Sequence, residues 1–374
     1  MDPASPYDIL KTYFGYHTFR AQQEEIINHV LEGNDTLALL PTGAGKSLCY
    51  QIPALSLPGL TLVVSPLIAL MNDQVAQLKA KRIKAERIHS GMSPQDIDRI
   101  LDNAVYGKIR LLYISPERLR SAAFLSRLPN MPVQLLAVDE AHCVSMWGYD
   151  FRPSYLEIPA VKKFFPEIPT IALTATATSK VLVDISTKLE LKRFSIFRSS
   201  FLRPNLSFVV CEVEDKKGVL ADWIRKVKGS AIVYVRNRKA TKELAEFLSQ
   251  HGFSATYYHA GLPREERSKK EREFLDDHFP IIVATNAFGM GIDKSNVRLV
   301  VHYSLPDSLE AYYQEAGRAG RDGRNSHVVL LYQSRDLDRL THMYEQSFPP
   351  ISEIRRIYNA LGNYLKLAVG SGEN

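Results

Sequence analysis

The hydrophobic residues of this 374-residue chain fall into short apolar runs, which are separated by longer stretches of mixed polar and apolar residues. In the first half the runs cover residues 36–40, 60–65, 111–115, 135–138 and 170–173. An unbroken apolar run is typical of a strand that is buried on both faces of a sheet. Helical patterns lie between the runs, for example at residues 67–81. This alternation predicts an α/β fold built on a parallel sheet.

The same alternation begins again after the tract Arg203-Pro204-Asn205, which carries few helical signals. Further apolar runs cover residues 231–235, 255–258, 281–284, 299–302 and 328–332, with helices predicted at 239–251 and 265–275. We therefore predict two parallel-sheet domains in tandem, at residues 1–205 and 206–340. A helical tail at residues 341–374 is too short to be a domain.

The segment DTLALLPTGAGKSLCY, residues 35–50, predicts a phosphate-binding loop between a buried strand and a helix. Gly43 and Gly45 allow successive backbone N–H groups to converge on an oxyanion, and the N-terminus of the helix adds partial positive charge. Lys46 can reach the β- and γ-phosphates, and the Ser47 hydroxyl can hold Mg²⁺. The alternative is a plain strand-turn-helix with an incidental lysine. The combination favours a nucleoside triphosphate site.

Asp139 and Glu140 directly follow the apolar run at residues 135–138, at the sheet edge where open α/β sheets bind ligands. Asp139 can hold Mg²⁺ through its water shell. Glu140 can orient and polarise the water that attacks the γ-phosphate. Such a pair is common after strands, so it becomes informative only with Ala141-His142 after it and the phosphate loop upstream.

Near the end of the second half, the sequence QEAGRAGR places Arg318 and Arg321 three residues apart, which predicts that both lie on one helical face. A guanidinium binds phosphoryl oxygens bidentately, although a basic surface helix is the alternative. The second half has no phosphate loop of its own. We therefore expect both arginines to reach across a cleft to the nucleotide of the first domain, which would couple hydrolysis to domain motion.

Residues 7–33 predict two helices around a Gly-Tyr turn, and this segment carries Tyr16, Arg20 and Gln23. An aromatic ring and a glutamine amide just before a phosphate loop can stack on an adenine and hydrogen-bond its edge. Periodicity alone leaves core packing as an equal alternative.

Residues 145–155, SMWGYDFRPSY, fit neither the strand nor the helix period and are therefore predicted to form a loop. Its aromatic residues can plug a core, or Trp147 and Phe151 can stack on nucleic-acid bases. Arg152 can contact a phosphate or cap an aromatic face. Because the loop follows Asp139 and Glu140 closely, we favour a sensor that stacks on bases.

The formal net charge of +6 is a mild excess that is consistent with a polyanionic partner. The densest basic cluster, residues 79–87, is expected to cover an exposed helix face. The cysteines Cys49, Cys143 and Cys211 lie far apart without a CxxC motif, which favours a reducing compartment and argues against a structural zinc site. No apolar run approaches the roughly 18 residues of a membrane span, so no membrane partner is expected.

Together these motifs resemble superfamily 2 helicases, and most closely the RecQ family of DNA helicases. The first half carries YFGYHTFRAQQEEI, LPTGAGKS, SPLIALMNDQV, SPERL, DEAH, the aromatic loop and LTATAT. The second half carries YVRNRKATKELAEFL, HAGLPREER, VATNAFGMGIDK and YYQEAGRAGRDG. The FGYxxFRxxQ stretch and the WGxDFRPxY pattern of the loop are what narrow the resemblance to RecQ.

The resemblance implies a 3′-to-5′ ATP-dependent DNA translocase with two RecA-like domains and the ATP site between them. The implied nucleotide-binding set is Tyr16, Arg20, Gln23, Thr42, Gly43, Ala44, Gly45, Lys46, Ser47, Gly291 and Asp293. The implied catalytic set is Lys46, Asp139, Glu140, Arg318 and Arg321, with Arg321 as the arginine finger and Ser47 and Asp139 at Mg²⁺. The residues implied in DNA binding or coupling are His142, Trp147, Phe151, Arg152, Thr174, Thr176 and Thr285.

Two departures accompany the resemblance. Met146 and Tyr149 stand where the family usually has glutamine and histidine. The four-cysteine zinc module that usually follows the second RecA-like domain cannot be built from the cysteines here, so no zinc is expected. Either this lineage lacks the module, or the chain is a catalytic-core fragment. We favour the second alternative, in which the tail at residues 341–374 begins a C-terminal region that this sequence lacks.

The leading hypothesis is a RecQ-type helicase that uses ATP and Mg²⁺ and acts as a monomer on single-stranded and tailed duplex DNA. Its compartment would be the bacterial cytoplasm with the nucleoid, or the eukaryotic nucleus. An RNA-directed helicase is the alternative within the enzyme class, and the aromatic loop argues against it. A nucleotide-regulated DNA-binding module without unwinding is the alternative from another class. Intact Lys46, Glu140 and Arg321 argue against that module.

Overall fold

The structure is a computed structural model, and it describes residues 5–148, 150–288 and 294–364. The described residues form two parallel sheets in succession, of seven and six strands. The strands of the first sheet end at Arg198, and those of the second begin at Leu206. The predicted fold class of two parallel-sheet domains in tandem is confirmed.

The first sheet has the order β3-β4-β2-β5-β6-β1-β7, and all its neighbouring strands run parallel. Its strands are β1 (Thr36–Leu39), β2 (Leu60–Val64), β3 (Ala85–Ile88), β4 (Leu111–Ile114), β5 (Val133–Val138), β6 (Thr170–Thr174) and β7 (Ser195–Arg198). In this order β6 lies between β5 and β1. The residues that follow these three strands therefore meet at one edge of the sheet.

Helices cover both faces of the first sheet. They are α1 (Pro6–Ile9), α2 (Gln23–Leu31), α3 (Leu48–Ser56), α4 (Ile68–Ala80), α5 (Pro94–Val105), α6 (Ala122–Arg127), α7 (Pro159–Lys162) and α8 (Ser179–Lys188). Successive strand residues enter different core clusters: Leu136 belongs to one cluster and Ala137 to the other. Apolar layers on both faces explain why the central strands are continuous hydrophobic runs.

The second sheet has the order β10-β11-β9-β12-β13-β8, again with parallel neighbours throughout. Its strands are β8 (Leu206–Glu212), β9 (Ser230–Tyr234), β10 (Ala255–Tyr258), β11 (Ile281–Ala284), β12 (Val297–His302) and β13 (Ser326–Tyr332). The helices are α9 (Lys216–Lys226), α10 (Arg238–Gln250), α11 (Arg264–Leu275), α12 (Leu309–Ala316), α13 (Ser334–Ser347) and α14 (Ile351–Tyr364).

A buried carboxylate ties together the strands that flank the phosphate loop. Asp35 precedes β1, and its Oδ2 accepts hydrogen bonds from Lys162 Nζ at 2.7 Å and from the Lys192 backbone N–H at 2.6 Å. Its Oδ1 accepts the Thr170 N–H at 2.7 Å, at the start of β6. Asp35 thereby fixes β1 against its neighbours with ionic hydrogen bonds.

The structure corrects two of the local predictions. The basic cluster at residues 79–87 is not one helix face, because α4 ends at Ala80 and β3 begins at Ala85. Arg82 has a left-handed backbone with φ of +62°, which interrupts the helix, and Ile83 is buried after it. Arg318 and Arg321 do not lie on a helix, because α12 ends at Ala316 and both arginines occupy the turns that follow.

The last two helices, α13 and α14, bury none of their residues. α13 begins before the predicted tail at residues 341–374, and α14 lies entirely within it. Residues 365–374 are outside the described part of the chain. In the described ranges, no helix combines the length and apolar character that crossing a bilayer would need.

Candidate functional site

The phosphate loop connects β1 to α3 with the backbone geometry that its glycines permit. Gly43 and Gly45 have φ of +83° and +80°, in the left-handed region that disfavours other residues. The Leu40 N–H donates to the Thr174 carbonyl at 3.1 Å, so the loop starts beside the end of β6. Ser47 occupies the N-cap position of α3. The loop therefore opens on a helix N-terminus, which suits an oxyanion.

The loop borders a cavity of about 640 Å³ that also contains the predicted carboxylates and arginines. Lys46 Nζ donates to the Leu40 carbonyl at 3.3 Å, a single weak contact that a phosphate can replace. The predicted side chains that line this cavity are Tyr16, Arg20, Gln23, Lys46, Ser47, Asp139, Glu140, Arg318 and Arg321. Residues from both sheet-containing halves of the chain thus line one cavity, whose volume is sufficient for a nucleotide.

Asp139 and Glu140 follow β5, where the Asp139 N–H donates to the Val64 carbonyl at 2.9 Å. Burial and then the adjacent charge of Glu140 raise the pKa of Asp139 to about 7, against the opposing effect of Lys46. A bound cation would compensate the negative charge that burial and Glu140 destabilise at Asp139. Asp139 and the Ser47 hydroxyl therefore fit a Mg²⁺ ion. Glu140 has a left-handed backbone with φ of +47°, a strain of about 1–3 kcal/mol of the kind found at functional sites.

His142 connects these carboxylates to the end of β6. Its Nδ1 lies 2.9 Å from Thr174 Oγ1 and 3.3 Å from Glu140 Oε2. The Thr174 hydroxyl donates its own proton to the Thr176 carbonyl at 3.1 Å, so it accepts from the Nδ1–H of His142. Burial lowers the pKa of His142, which favours a neutral ring, and the contact with Thr174 places its proton on Nδ1.

The segment before β1 contacts the phosphate loop. Arg20 Nη1 donates to the Gly43 carbonyl at 2.6 Å. Gln23 is buried, and its Nε2 donates to the Ala44 and Gly45 carbonyls at 3.0 and 3.2 Å. Tyr16 is exposed at the cavity, where its ring is accessible to a base. Gln23 therefore supports the loop in this structure, and the reading of an adenine by these residues stays a prediction.

The aromatic loop divides into an exposed part and a buried part. The Trp147 side chain is 63% exposed, with Lys180 Nζ 3.1 Å from its ring centroid. Tyr155 is fully buried, in the short 3₁₀ helix Pro153–Glu157. Phe151 is partly buried, and Lys188 lies 5.9 Å from its ring. The alternative that the loop's aromatic residues pack into the core is therefore correct for Tyr155 but not for Trp147.

Arg152 is held inside the loop by two kinds of contact. Its Nη1 donates to the Pro66 carbonyl at 3.0 Å, and its Nη2 lies 3.1 Å from Asp150 Oδ2. The bond to Pro66 connects the loop to the segment after β2, and the contact with Asp150 lies within the loop. Arg152 therefore serves loop geometry in this structure, and its predicted contact with a phosphate would require these bonds to change.

The chain matches two family models, and they follow one another as the two sheets do. The model DEAD/DEAH box helicase matches residues 20–185, and the model Helicase conserved C-terminal domain matches residues 215–323. The ATP-dependent DNA helicase RecQ of Pasteurella multocida (strain Pm70) is 45% identical over 330 residues, 88% of this chain and 52% of that protein. The probable ATP-dependent DNA helicase RecS of Bacillus subtilis (strain 168) is 40% identical over 357 residues, 94% of this chain and 72% of that protein.

The chain belongs to the RecQ family of superfamily 2 helicases.

The fold agrees with this family. A solved structure of the DUF1998 helicase MrfA bound to DNA superimposes with a TM-score of 0.73 over 91% of this chain and 54% of that chain, at 18% identity. That likeness concerns the fold alone. The chain spans about half the length of the P. multocida RecQ protein, 52%.

In this RecQ-family chain three further predicted residues, Thr174, Thr176 and Thr285, lie at the carboxyl ends of strands in the two sheets. Thr174 is the last residue of β6 and Thr176 follows it, and β6 lies between the strands that lead to the phosphate loop and to Asp139. Thr285 follows β11, and its N–H donates to the Tyr258 carbonyl at 3.2 Å. Gly291, Asp293 and Tyr149 lie outside the described residues. In the ranges that are described, no group of three or more histidine, cysteine, aspartate or glutamate side chains is arranged to hold a metal.

Sequence reasoning missed two residues of this RecQ-family site. Arg203 and Asn205 were interpreted only as part of a domain boundary, yet both make side-chain hydrogen bonds to the turn that carries Arg318 and Arg321. A charged residue and an amide in an otherwise apolar connecting tract were the available signal.

Proposed function

We propose that this chain is the motor of a RecQ-type ATP-dependent DNA helicase, which hydrolyses ATP when single-stranded DNA is bound and moves 3′-to-5′. The observation that supports this most is the shared cavity: Lys46 and Glu140 from the first sheet face the same space as Arg321 from the second. A site divided in this way works only when both domains are correctly placed. Hydrolysis is thereby coupled to their relative motion.

Each residue has a role that its position allows. The glycines of the loop and Lys46 bind the β- and γ-phosphates, while Arg321 and Arg318 stabilise the charge that develops during phosphoryl transfer. Glu140 orients the attacking water and accepts its proton. Ser47 and Asp139 would hold Mg²⁺, which would neutralise phosphate charge. Tyr16, Arg20 and Gln23 recognise the base, with Thr42 and Ala44 completing the loop.

DNA is proposed to act through the aromatic loop. Trp147 stacks on bases, and the loop transmits the contact to Asp139, Glu140 and His142, with Thr174 and Thr176 completing the connection between the domains. Phe151, Arg152 and Thr285 belong to this coupling set. Gly291 and Asp293 are proposed to contact the nucleotide from the second domain.

The test is phosphate release with and without single-stranded DNA, followed by unwinding of a 3′-tailed duplex against a 5′-tailed one. We expect DNA-stimulated hydrolysis, preference for the 3′ tail and a DNA affinity that falls steeply with salt. A matched single-stranded RNA should stimulate less. Equal stimulation by RNA would favour the RNA-directed alternative, and tight DNA binding without turnover would favour a binding module.

We also propose that the chain acts as a monomer and binds no zinc. Sedimentation and metal analysis of the same preparation test both points. A stoichiometric, chelator-resistant zinc ion or a stable dimer would contradict the corresponding statement.

A further inference from the structure

Arg203 lies in the segment between β7 and β8 and contacts both halves of the site. Its Nη1 donates to the Thr42 carbonyl of the phosphate loop at 3.2 Å. Its Nη2 donates to the carbonyls of Ala319 and Gly320 at 3.2 and 2.8 Å. Ala319 and Gly320 are the two residues between Arg318 and Arg321. One guanidinium therefore joins the phosphate loop to the turn that carries both arginines.

Asn205 holds the same turn from the same segment. Its Nδ2 donates to the Gly320 carbonyl at 2.9 Å and to the Arg324 carbonyl at 3.0 Å, while its Oδ1 accepts from Arg203 Nε at 3.3 Å. Gly320 has φ of +58°, and a Cβ there would lie 2.5 Å from Asn205 Nδ2. The turn is packed so closely on Asn205 that only glycine fits.

Arg203 lies close to two other positively charged side chains, Arg321 and Arg20. Burial, and then the positive charges of Arg321 and Arg20, lower the pKa of Arg203. Both Arg203 and Arg321 pack against Gly43 of the phosphate loop. A side-chain Cβ added at Gly43 would lie 3.5 Å from Arg203 Nη1 and 3.6 Å from Arg321 Cγ. The positive charges beside the phosphate loop repel one another, and the hydrogen bonds from Arg203 to backbone carbonyls offset this repulsion.

The Arg203 side chain borders a different space from the proposed catalytic groups. It lines a smaller cavity with Thr42, Thr176 and Phe201, whereas Arg318 and Arg321 line the large one. Its guanidinium donates hydrogen bonds to backbone carbonyls and to the Asn205 amide oxygen. These positions are suited to holding two segments of backbone in place rather than to binding phosphate.

We propose that Arg203 is a positioning residue for ATP hydrolysis, which sets how the turn with Arg318 and Arg321 faces the phosphate loop. The inference rests on the proposed function, since it assigns a residue to the same reaction. Because Arg203 acts on backbone positions, its loss should lower kcat while KM for ATP changes little.

The experiment compares Arg203→Gln and Arg203→Lys with the wild type in DNA-stimulated phosphate release, together with melting temperature. Misplacement of reacting groups by about 1 Å can cost about 10²-fold, so we expect Arg203→Gln to lower kcat roughly 10- to 100-fold. Arg203→Lys should have a kcat between those of Arg203→Gln and the wild type, because a lysine ammonium lacks the planar guanidinium that reaches both backbone segments. Arg198→Gln is the matched control, since Arg198 is exposed on β7 five residues earlier. It should behave as the wild type.

A second arm separates positioning from general damage to the fold. In an Arg321→Ala background, Arg203→Gln should reduce kcat little further, because the group that it positions is already absent. Small-angle scattering of the nucleotide-free protein should show a larger radius of gyration for Arg203→Gln, whether or not ATP is hydrolysed. If Arg203→Gln does not fold, Arg203→Lys is judged by the same kcat-against-KM comparison.

The outcomes distinguish the two claims. A wild-type protein without DNA-stimulated turnover overturns the proposed function, and the inference with it. An active wild type with an Arg203→Gln variant of normal kcat and normal radius overturns the inference alone. Fully additive losses in the double variant would also overturn it, because Arg203 would then act independently of Arg321.

Discussion

The hydroxyl of Tyr155 donates a hydrogen bond to the backbone carbonyl of Asp139, with 2.9 Å between the two oxygens. The Tyr155 ring is fully buried, and it follows the exposed Trp147 by eight residues in the same loop region. A movement of the loop can therefore reach the backbone of the residue proposed to hold Mg²⁺. This bond is a direct physical connection between the proposed DNA contact and the proposed hydrolytic site.

Tyr155→Phe removes this donor while keeping the ring. We expect a loss of about 0.5–1.5 kcal/mol in the free energy of unfolding, the usual net worth of such a bond. We also expect DNA-stimulated turnover to fall more than basal turnover. Tyr106→Phe, at an exposed tyrosine, is the control for both measurements. Reduced stability with an unchanged stimulation ratio would show that the bond is only structural.

Trp147→Ala tests the exposed part of the loop. Stacking of one base on an aromatic ring contributes about 1–3 kcal/mol, so DNA affinity and DNA stimulation should both fall. Melting temperature, basal turnover and ATP affinity should stay close to the wild type, because the Trp147 side chain is largely outside the core. Met146→Ala changes an equally exposed neighbour without a ring and should have little effect. A destabilised Trp147→Ala protein with intact stimulation argues against the sensor.

Lys46→Ala and Glu140→Gln separate binding from hydrolysis. Lys46→Ala removes the charge that faces the phosphates and should abolish turnover and weaken ATP binding. Glu140→Gln should keep ATP binding, measured with a fluorescent nucleotide, but lower kcat by about 10²–10⁴, the range for a lost general base. Near-normal hydrolysis by Glu140→Gln would refute the role assigned to this carboxylate.

Asp35→Ala tests the buried ionic contact beneath the phosphate loop. Removing one partner of a buried pair leaves the Lys162 ammonium uncompensated, and about 3–5 kcal/mol of unfolding free energy should be lost. Asp222→Ala is the control, because its pair with Arg225 is exposed and should contribute at most about 1 kcal/mol. Urea unfolding measures both variants. Similar losses at the two positions would contradict the structural role of Asp35.

The sequence was sufficient to predict the central strands and the residues at their ends. Strands such as β2 and β5 are apolar on both faces, so they stand out as continuous runs. The phosphate loop was predicted from local spacing, since strand, glycines and Lys46 are consecutive in the chain. The roles of Thr174 and His142 came from the family resemblance rather than from spacing. Their contact, which arises because β5 and β6 are parallel neighbours, was not predicted.

Three of the edge strands and the interdomain contacts were not predictable from pattern. β3, β7 and β8 are short or alternate between buried and exposed residues, so they lack the continuous run that marks a central strand. The helix expected at Arg318 ends earlier, at Ala316, and Gly317 and Gly320 lie in the turns beyond it. The bridging role of Arg203 depends on carbonyls more than a hundred residues away in either direction, which no local pattern encodes.

The measurement that tests the divided ATP site most directly is the initial rate of phosphate release by Arg321→Ala, with and without single-stranded DNA. Loss of an arginine that stabilises the transferring phosphoryl group costs about 10³–10⁵ in kcat, so turnover should almost vanish while ATP and DNA still bind. Arg324→Ala, at a neighbouring arginine with an exposed side chain, should hydrolyse ATP like the wild type. DNA-stimulated hydrolysis at a normal rate by Arg321→Ala would contradict a site shared between the two domains.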